Sequence, residues 1–492
     1  MQDTDGTPEA EASFDEITKM RRENARLASR IAQLERMLSL QPQTGLPTHF
    51  RLELELEEII DGYHKRADRA GFTLLIVQLG DHYATVRKTL KSSISEWILY
   101  ETGCRIQSIL SPGDKLFHTH ESEFVLILPG CKGKELEDFL RKLVERLEEP
   151  HIFSGFNIAI KAAIGASYWP EHGEDRSDIL HHADLAAGTA IEQRTSFVLF
   201  KPELLSRAIE KVELQNALIK GLEGSGLDGL GEQFTLYFQP KVYLSSVGDD
   251  FVSVERIEAE ALIRWKHPQK GLLGPNAFIP LAEETGLILP LGKWLIYQAA
   301  RRLATWDAEG HSAMGMSINL AINLSARQFR SEDAADTIAS ALAATGIAGE
   351  RFTVELTETS LFENPDETRK TLDRFSELGV KISVDDFGTG YSSLSHLHRF
   401  PIDEIKIDRL FIENLDTNHH DAIIVSSLVA IANGLGLNLV AEGVEKPAAL
   451  RILWDMGCKG FQGFLIAKPL EPDDFVEFCE KIRRDGMRLR IQ

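Results

Sequence analysis

The sequence predicts an α/β protein in three parts: a short N-terminal coiled coil, an α+β domain, and a C-terminal (β/α)8 TIM-like barrel. Three observations predict this. Residues 233–492 carry eight apolar runs of strand length, mostly alternating with amphipathic helical stretches. Residues 42–200 mix strand runs and helices in the pattern of a sandwich. Residues 17–38 repeat apolar residues at alternating steps of three and four.

Taking the segments in order, MQDTDGTPEAEAS (residues 1–13) is acidic and polar and reads as disordered. It lacks the basic start and apolar stretch of a signal peptide. In residues 14–40 the heptad places Ile17, Asn24, Ile31 and Leu38 at a positions and Met20, Leu27 and Leu34 at d positions. β-Branched residues and one Asn at a, with Leu at d, favour a parallel two-stranded coil and hence a homodimer; Arg30 at g can pair with Glu35 at the following e. A single amphipathic helix lying on its own domain is the alternative.

Within residues 42–200, FTLLIVQL from Phe72 and EFVLILPG from Glu123 are strand runs, and KELEDFLRKLVERLEE from Lys134 is an amphipathic helix. NIAIKAAIGASYW from Asn157 is a strand pair or one long bent strand. A helix is expected over Glu203–Leu222, and the run GLEGSGLDGLGE after it completes a linker over residues 203–232. GSGLDG has no strand before it and no helix after it, so it does not read as a phosphate loop. The barrel runs are FTLYFQPKV, VERIEAEALIRW, SINLAINLS, RFTVELTE, VKISVDDFG, EIKID, LNLVAEGV and KGFQGFLI.

Composition narrows the function classes. Lys+Arg 54 against Asp+Glu 75 gives a net charge of −21, which argues against nucleic acid and anionic membrane as partners and requires local cations if the ligand is a phosphate. The cysteines (Cys104, Cys131, Cys458, Cys479) show no metal-ligand spacing and suit a reducing cytoplasm. IIVSSLVAIANGLGLNLV from Ile423 is interrupted by Ser426, Ser427, Asn433 and Gly434 and is too polar to span a bilayer. A cytoplasmic protein is expected.

The ends of the barrel runs carry the chemistry. In a barrel the C-terminal strand ends converge on one mouth, where catalytic groups sit. Asn323 closes INLAIN, Glu355 and Glu358 close FTVELTE, Asp385 and Asp386 close VKISVDD, and Lys406 and Asp408 close EIKID. Glu442 and Glu445 close LNLVAEGVE, Gln462 closes KGFQ, and Glu260 stands mid-run in IEAEALIRW. Glu260, Glu355, Asp385, Asp386 and Glu442 on one mouth cannot all stay ionised without cations. All-oxygen ligands select hard divalent ions such as Mg²⁺ or Mn²⁺, and the adjacent pair Asp385-Asp386 could bridge two of them, as in phosphodiester hydrolysis. Each acid alone could instead be a helix N-cap in a βα loop. That reading leaves Glu260, and the Asn, Lys and Gln of the same ring, without a purpose.

On these motifs residues 205–485 resemble the EAL family of cyclic di-GMP phosphodiesterases. The similar segments are FQP (Phe238–Pro240), EALIRW (Glu260–Trp265), NLS (Asn323–Ser325), ELTE (Glu355–Glu358), DDFGTGYSS (Asp385–Ser393), KID (Lys406–Asp408), AEGVE (Ala441–Glu445) and QGF (Gln462–Phe464). The resemblance implies one ion held by Glu260, Asn323, Glu355 and Asp385 and a second held by Asp385, Asp386 and Glu442. It implies catalytic roles for Glu442, for Lys406 in orienting the attacking water, and for Glu358 in bracing the DDFGTGYSS loop. It implies that Gln239, Arg264, Glu445 and Gln462 hold the dinucleotide or its neighbouring shell, that one bond of cyclic di-GMP is opened to give pGpG, and that barrels pair. Two departures, KV after FQP and the acidic insertion SSVGDDF (Ser245–Phe251), are expected beside the substrate mouth.

Residues 42–200 resemble a GGDEF (diguanylate cyclase) domain whose chemistry is lost. TGLPTHF (Thr44–Phe50) is similar to the family's opening, but Gln78 and Gly80 stand where an Asp-rich metal motif is expected, and the signature loop reads HESEF (His120–Phe124). His120 and Glu121 replace glycines that let the backbone approach a triphosphate, and Ser122 replaces a metal-binding Asp. Ser111 stands where the family's inhibitory motif has Arg, and ADLAAGTA (Ala183–Ala190) keeps part of a late helix motif. The domain therefore reads as a non-catalytic transmitter or dimeriser. His118, His120, His181, His182, His419 and His420 read as surface loop residues and not as metal ligands. The alternative function is a cyclic di-GMP receptor that binds without turnover. Such receptors lose the EAL glutamate or the DD pair, and this chain keeps both. No motif identifies a regulatory protein partner.

Overall fold

The computed structural model describes residue 26 and residues 39–65, 71–153, 156–222, 233–311, 318–331, 333–362, 364–388 and 399–491. The expected coiled coil lies outside these residues apart from positions 26, 39 and 40. Residues 1–13, the Gly-rich run from 223 to 232 and the TGYSS part of the DDFGTGYSS motif, after Gly388, also lie outside them. The chain divides into two compact units, Met1–Glu210 and Lys211–Gln492.

The first unit has strands β1 (Phe72–Leu79), β2 (Lys115–His120), β3 (Glu123–Pro129), β4 (His151–Phe153), β5 (Phe156–Ile158), β6 (Ala162–Trp169) and β7 (Phe197–Leu199). Five form a sheet in the order β2-β3-β1-β6-β7, and β4 pairs with β5 alone. NIAIKAAIGASYW is thus a strand pair whose members belong to different sheets. Helices cover both faces of the large sheet, which is why β1 is buried and mostly apolar on both faces rather than alternating. Leu75, Val77 and Leu79 pack with Leu136, Leu140 and Leu143 of helix Lys134–Glu148. Phe72, Leu74 and Ile76 face Leu52 and Leu56 of helix His49–Lys65 and Ala183 and Ala187 of helix Arg176–Glu192. The small residues of ADLAAGTA have a packing reason. A Cβ at Gly165 on β6 would stand 2.0 Å from Ala183 O and 2.2 Å from Ala187 N, so helix and sheet meet backbone to backbone. His118 departs from the surface reading: it is buried on β2, shares a 3.0 Å hydrogen bond between Nδ1 and Thr44 Oγ1, and stacks on Phe124. His181, His182, His419 and His420 lie on helices, not loops.

The second unit has β8 (Phe234–Val247), β9 (Phe251–His267), β10 (Gly271–Leu273), β11 (Asn319–Asn323), β12 (Phe352–Thr357), β13 (Lys381–Phe387), β14 (Glu404–Ile407), β15 (Asn438–Ala441), β16 (Gly460–Gln462) and β17 (Arg488–Arg490). All eight expected runs are barrel strands. The order β9-β11-β12-β13-β14-β15-β16-β8 closes through pairing of β8 with β9, while β10 and β17 extend β9 outside the ring. Helices Ile288–Ala308, Ala334–Thr345, Pro365–Glu377, His419–Leu435, Pro447–Met456 and Pro472–Arg484 cover the outside. Trp294, Trp306, Phe352 and Phe375 are buried in the core of this unit.

The barrel differs from a strict (β/α)8 form at its first strand. β8 is antiparallel to both neighbours, β9 and β16. A tight hairpin joins β8 to β9, with Gly248 N donating to Phe251 O, so no crossover helix is needed. This relocates both sequence departures. Because β8 runs away from the mouth, Lys241 points inside the barrel, opposite Glu258, and the SSVGDDF segment forms the hairpin at the far end. Neither lies beside the mouth. Among the described residues no helix is long and apolar enough to cross a membrane; the run from Ile423 is the end of helix His419–Leu435 followed by β15.

Candidate active site

Strand geometry alone places two polar layers inside the barrel. Side chains two residues apart on a strand share a face, so inward residues stack in layers. Gln239 pairs with Glu260 and Lys241 with Glu258 across β8 and β9, while Glu355 pairs with Ser383 across β12 and β13. The mouth layer holds Gln239, Glu260, Glu355, Asp385, Lys406 and Gln462. A floor layer below it holds Lys241, Glu258, Ser383 and Glu404. Glu260 sits mid-run because β9 continues past the rim, where it pairs with the start of β8 and with β10.

Lys406 is the hub of the mouth layer. Its buried ammonium lies 2.7 Å from Glu355 Oε2, 2.5 Å from Glu442 Oε1, 3.4 Å from Glu260 Oε2 and 3.6 Å from Asp385 Oδ2. Asn323 Nδ2 and Gln462 Nε2 each donate to Glu260 at 2.6 Å, and Gln462 Nε2 also reaches Gln239 Oε1 at 3.3 Å. Asp385 and Asp386 are neighbours and would point to opposite faces of a regular strand. A register shift between Val384 and Phe387, with Asp386 at φ +54°, breaks that alternation. Asp386 thereby reaches a hydrogen bond with Asp408. Glu358 Oε2 accepts from Gly388 N at 2.9 Å, which anchors the residue that directly follows β13.

The charges do not balance. Glu260, Glu355, Asp385 and Glu442 surround one ammonium, and Asp386 stands beside Asp385. Burial, then its carboxylate neighbours Asp385 and Glu260, push Glu442 up to about 8, against the pull of Lys406. Burial and Glu260 hold Glu355 well above the usual carboxylate range. Burial and Asp385 raise Asp386 to about 6. For Glu260 burial also acts upward, but Lys406 and the Gln462 and Asn323 amides outweigh it and the net shift is down. Glu355 Oε1 is buried with no hydrogen-bond partner among the described residues. There, no group of three or more Asp, Glu, His or Cys side chains is arranged to hold a metal ion; the Lys406 ammonium stands among the acids instead.

Above the ring opens a cleft of ≈ 270 Å³ lined by Gln239, Glu260, Asn323, Asp385, Glu442 and Glu445, among others. Arg409 also lines it and bonds Glu445 Oε1 at 3.2 Å. Sequence reading passed over Arg409, although it directly follows KID. A second, largely apolar cavity of ≈ 470 Å³, with Ile263, Pro275, Ile279 and Leu291 on its wall, shares Asn323 with the first. The structure therefore brings together Glu260, Asn323, Glu355, Asp385, Lys406, Glu442, Gln239 and Gln462. Arg264 stands apart on the outer stretch of β9: its Nη1 donates to Ile263 O at 2.9 Å and its guanidinium lies over the Tyr237 ring.

In the first unit, the positions that read as a lost metal site form a closed polar cluster. Gln78 Nε2 donates to Glu123 Oε2 at 3.3 Å and to Asp184 Oδ1 at 3.1 Å. Glu123 also accepts from Thr119 Oγ1 at 2.6 Å and meets His120 Nδ1 at 3.0 Å. Arg87 pairs with Glu121 in the turn between β2 and β3.

A family model described as EAL domain matches residues 227–469. One described as Diguanylate cyclase, GGDEF domain matches residues 40–196. The chain is 35% identical over 434 residues to the bifunctional diguanylate cyclase/cyclic di-GMP phosphodiesterase MucR of Pseudomonas aeruginosa, an alignment covering 88% of this chain and 60% of that protein. It is 33% identical over 428 residues to the cyclic di-GMP phosphodiesterase PdeR of Escherichia coli, covering 87% of this chain and 61% of that protein. The chain thus spans less than two thirds of the length of these relatives. The solved S helix-GGDEF-EAL structure of Vibrio cholerae LapD, bound to c-di-GMP, shares the fold at a TM-score of 0.53 and 16% identity, covering 89% of this chain and 99% of that one.

Proposed function

Because the chain belongs to the family of proteins that join a GGDEF domain to an EAL domain, we propose that its barrel is a cyclic di-GMP phosphodiesterase. It opens one 3′,5′ bond to give linear pGpG, and the first unit regulates it without cyclase chemistry. The observation that carries this reading is the ring of acids around Lys406, at the C-terminal ends of the barrel strands.

The residues fit divalent cations. The donors are hard oxygens, four carboxylates face one ammonium, and Glu355 Oε1 lacks a partner among the described residues. Glu260, Asn323, Glu355 and Asp385 would hold one Mg²⁺ or Mn²⁺ ion, and Asp385, Asp386 and Glu442 a second. Bound ions of this kind stabilise the charge that develops on a transferring phosphoryl group. The chain's own groups do the rest. Lys406 orients the attacking water by donating from a fixed, buried ammonium. Gln462 and Asn323 lock the Glu260 carboxylate in place. Glu358 holds Gly388 and so steadies the end of β13, which carries Asp386. Glu445, held by Arg409, and Gln239 line the cleft that receives the dinucleotide, and the apolar cavity beyond Asn323 suits a purine face. Arg264 reaches substrate only from the rim.

In the first unit, a neutral Gln78 amide takes the place a cation would need between Glu123 and Asp184, which supports a role without turnover of GTP. Pairing of two copies through the N-terminal heptad and the barrels completes the reading. The test is incubation of purified protein with cyclic di-GMP and Mg²⁺ or Mn²⁺, with products separated by chromatography. pGpG is expected; unaltered substrate would leave only the receptor reading.

A further inference from the structure

The floor layer beneath the acid ring is not used by the chemistry above, and its charges balance. Lys241 Nζ, buried, lies 2.8 Å from Glu404 Oε1 and 3.2 Å from Glu258 Oε2. Arg256 Nε donates to the other Glu258 oxygen at 3.1 Å, and its guanidinium covers the Tyr243 ring at 3.5 Å. Tyr243 and Ser383 donate to Glu404, and Asn319 donates to Glu258. Two carboxylates meet two cations, and every carboxylate oxygen there has a donor. In the mouth layer, by contrast, one cation, Lys406, meets four carboxylates, those of Glu260, Glu355, Asp385 and Glu442.

Glu404 and Lys406 stand two residues apart on β14 and face the same interior, so Lys406 has a choice of partners above and below. We propose that Lys241 is a positioning residue for the phosphodiesterase site: by neutralising Glu404 and Glu258 it leaves the Lys406 ammonium committed to the mouth layer. This rests on the reading of the barrel as a phosphodiesterase. Without Lys241 the floor carries an uncompensated buried negative charge. The nearest mobile cation is Lys406, whose flexible stem can turn down to Glu404.

The test is Lys241→Met, which keeps the stem and removes the charge. A crystal structure of metal-free K241M is expected to place Lys406 Nζ on Glu404, away from Glu355 and Glu442; an unmoved ammonium would overturn the proposal. This readout stands whether or not the wild type turns over, and wild-type kinetics separately test the phosphodiesterase reading. In kinetics, kcat of K241M should fall more than tenfold with KM and Mn²⁺ affinity within about threefold of wild type. Loss of all three together would mark general collapse and overturn it, as would an unchanged kcat. The double variant K241M/E404Q restores charge balance and should recover most of kcat; failure to recover counts against the proposal. Should K241M not fold, Glu404→Gln alone is the second variant. It leaves no floor charge to attract Lys406, so kcat within about threefold of wild type is expected, and a loss above tenfold would sink the idea.

Discussion

Lys406 Nζ lies 2.7 Å from Glu355 Oε2, while the other oxygen of that carboxylate, Oε1, is buried without a hydrogen-bond partner among the described residues. One side of Glu355 is thus committed to the ammonium and the other faces an unmet demand for positive charge. Glu355→Gln preserves the shape and removes the charge. We expect kcat to fall by about 10²-fold or more, since a proposed metal ligand and one of the partners of Lys406 are lost together. Thermal stability should hold or rise, because burial disfavours the Glu355 anion. Steady-state kinetics beside a melting curve read both; a stable variant with near wild-type kcat would remove Glu355 from the site.

The acids should act only with a divalent cation. Chelation with EDTA should abolish turnover, and Mg²⁺ or Mn²⁺ should restore it. Glu260→Ala and Asp385→Ala should be silent at any metal concentration, since each removes a ring carboxylate within 3.6 Å of Lys406. Turnover in EDTA, or activity in either variant close to wild type, would contradict the assignment.

Much of this site was legible because strand ends in a barrel share one mouth, so Glu355, Asp385, Lys406 and Glu442 could be grouped without knowing the fold's details. The floor layer was missed although its signal was present. Glu258, Ser383 and Glu404 each precede a mouth-layer residue by two positions on a parallel strand, and Lys241 follows Gln239 by two on the antiparallel one. The period of a strand would have found all four. The direction of β8 was not legible, because a hairpin of Ser, Gly and Asp reads equally well as an insertion in a loop at either end. His118 was misplaced because an imidazole in FHTH, beside a Thr and two positions from a second His, gives no local sign of burial; its partner, Thr44, is 74 positions away.

The first unit should make no cyclic di-GMP. On the proposed reading Gln78, His120, Glu121 and Ser122 stand in place of metal- and triphosphate-binding residues, and the Gln78 amide is engaged by Glu123 and Asp184. The measurement uses Glu260→Ala, so that any product survives, with GTP and Mg²⁺. Detection of cyclic di-GMP would show that the cluster opens and that the chain is bifunctional.

The same unit should lose stability in mild acid. Burial, reinforced by the Arg105 charge, lowers His151 to about 4 from an ordinary 6.5, and its Nδ1 has no partner among the described residues. The neutral ring is the folded form. Its contribution is therefore complete above pH 6.5 and is lost as pH falls from 6.5 through 4, where the unfolded chain takes up the proton first. Melting temperature should drop over that window, and His151→Leu should flatten the drop relative to wild type. Equal slopes in the two proteins would assign the acid sensitivity to other groups.

The heptad of residues 17–38 supplies the last expectation. Ile17 and Ile31 at a, Leu27 and Leu34 at d and a single Asn24 at a are the pattern that favours two parallel strands, in which a buried Asn pair would set the register. Two parallel chains would bring two copies of the first unit side by side, and a twist of the coil would then reach both barrels in the same sense. Pairing through the barrels would survive without the coil, so its removal need not yield monomers. The quantity that should move is the coupling. Deleting residues 1–40 should weaken the dimer, read by sedimentation equilibrium, or shift the basal phosphodiesterase rate, read at saturating cyclic di-GMP. If the deleted and full chains agree in both, the heptad is a surface helix that lies on its own domain and carries no signal.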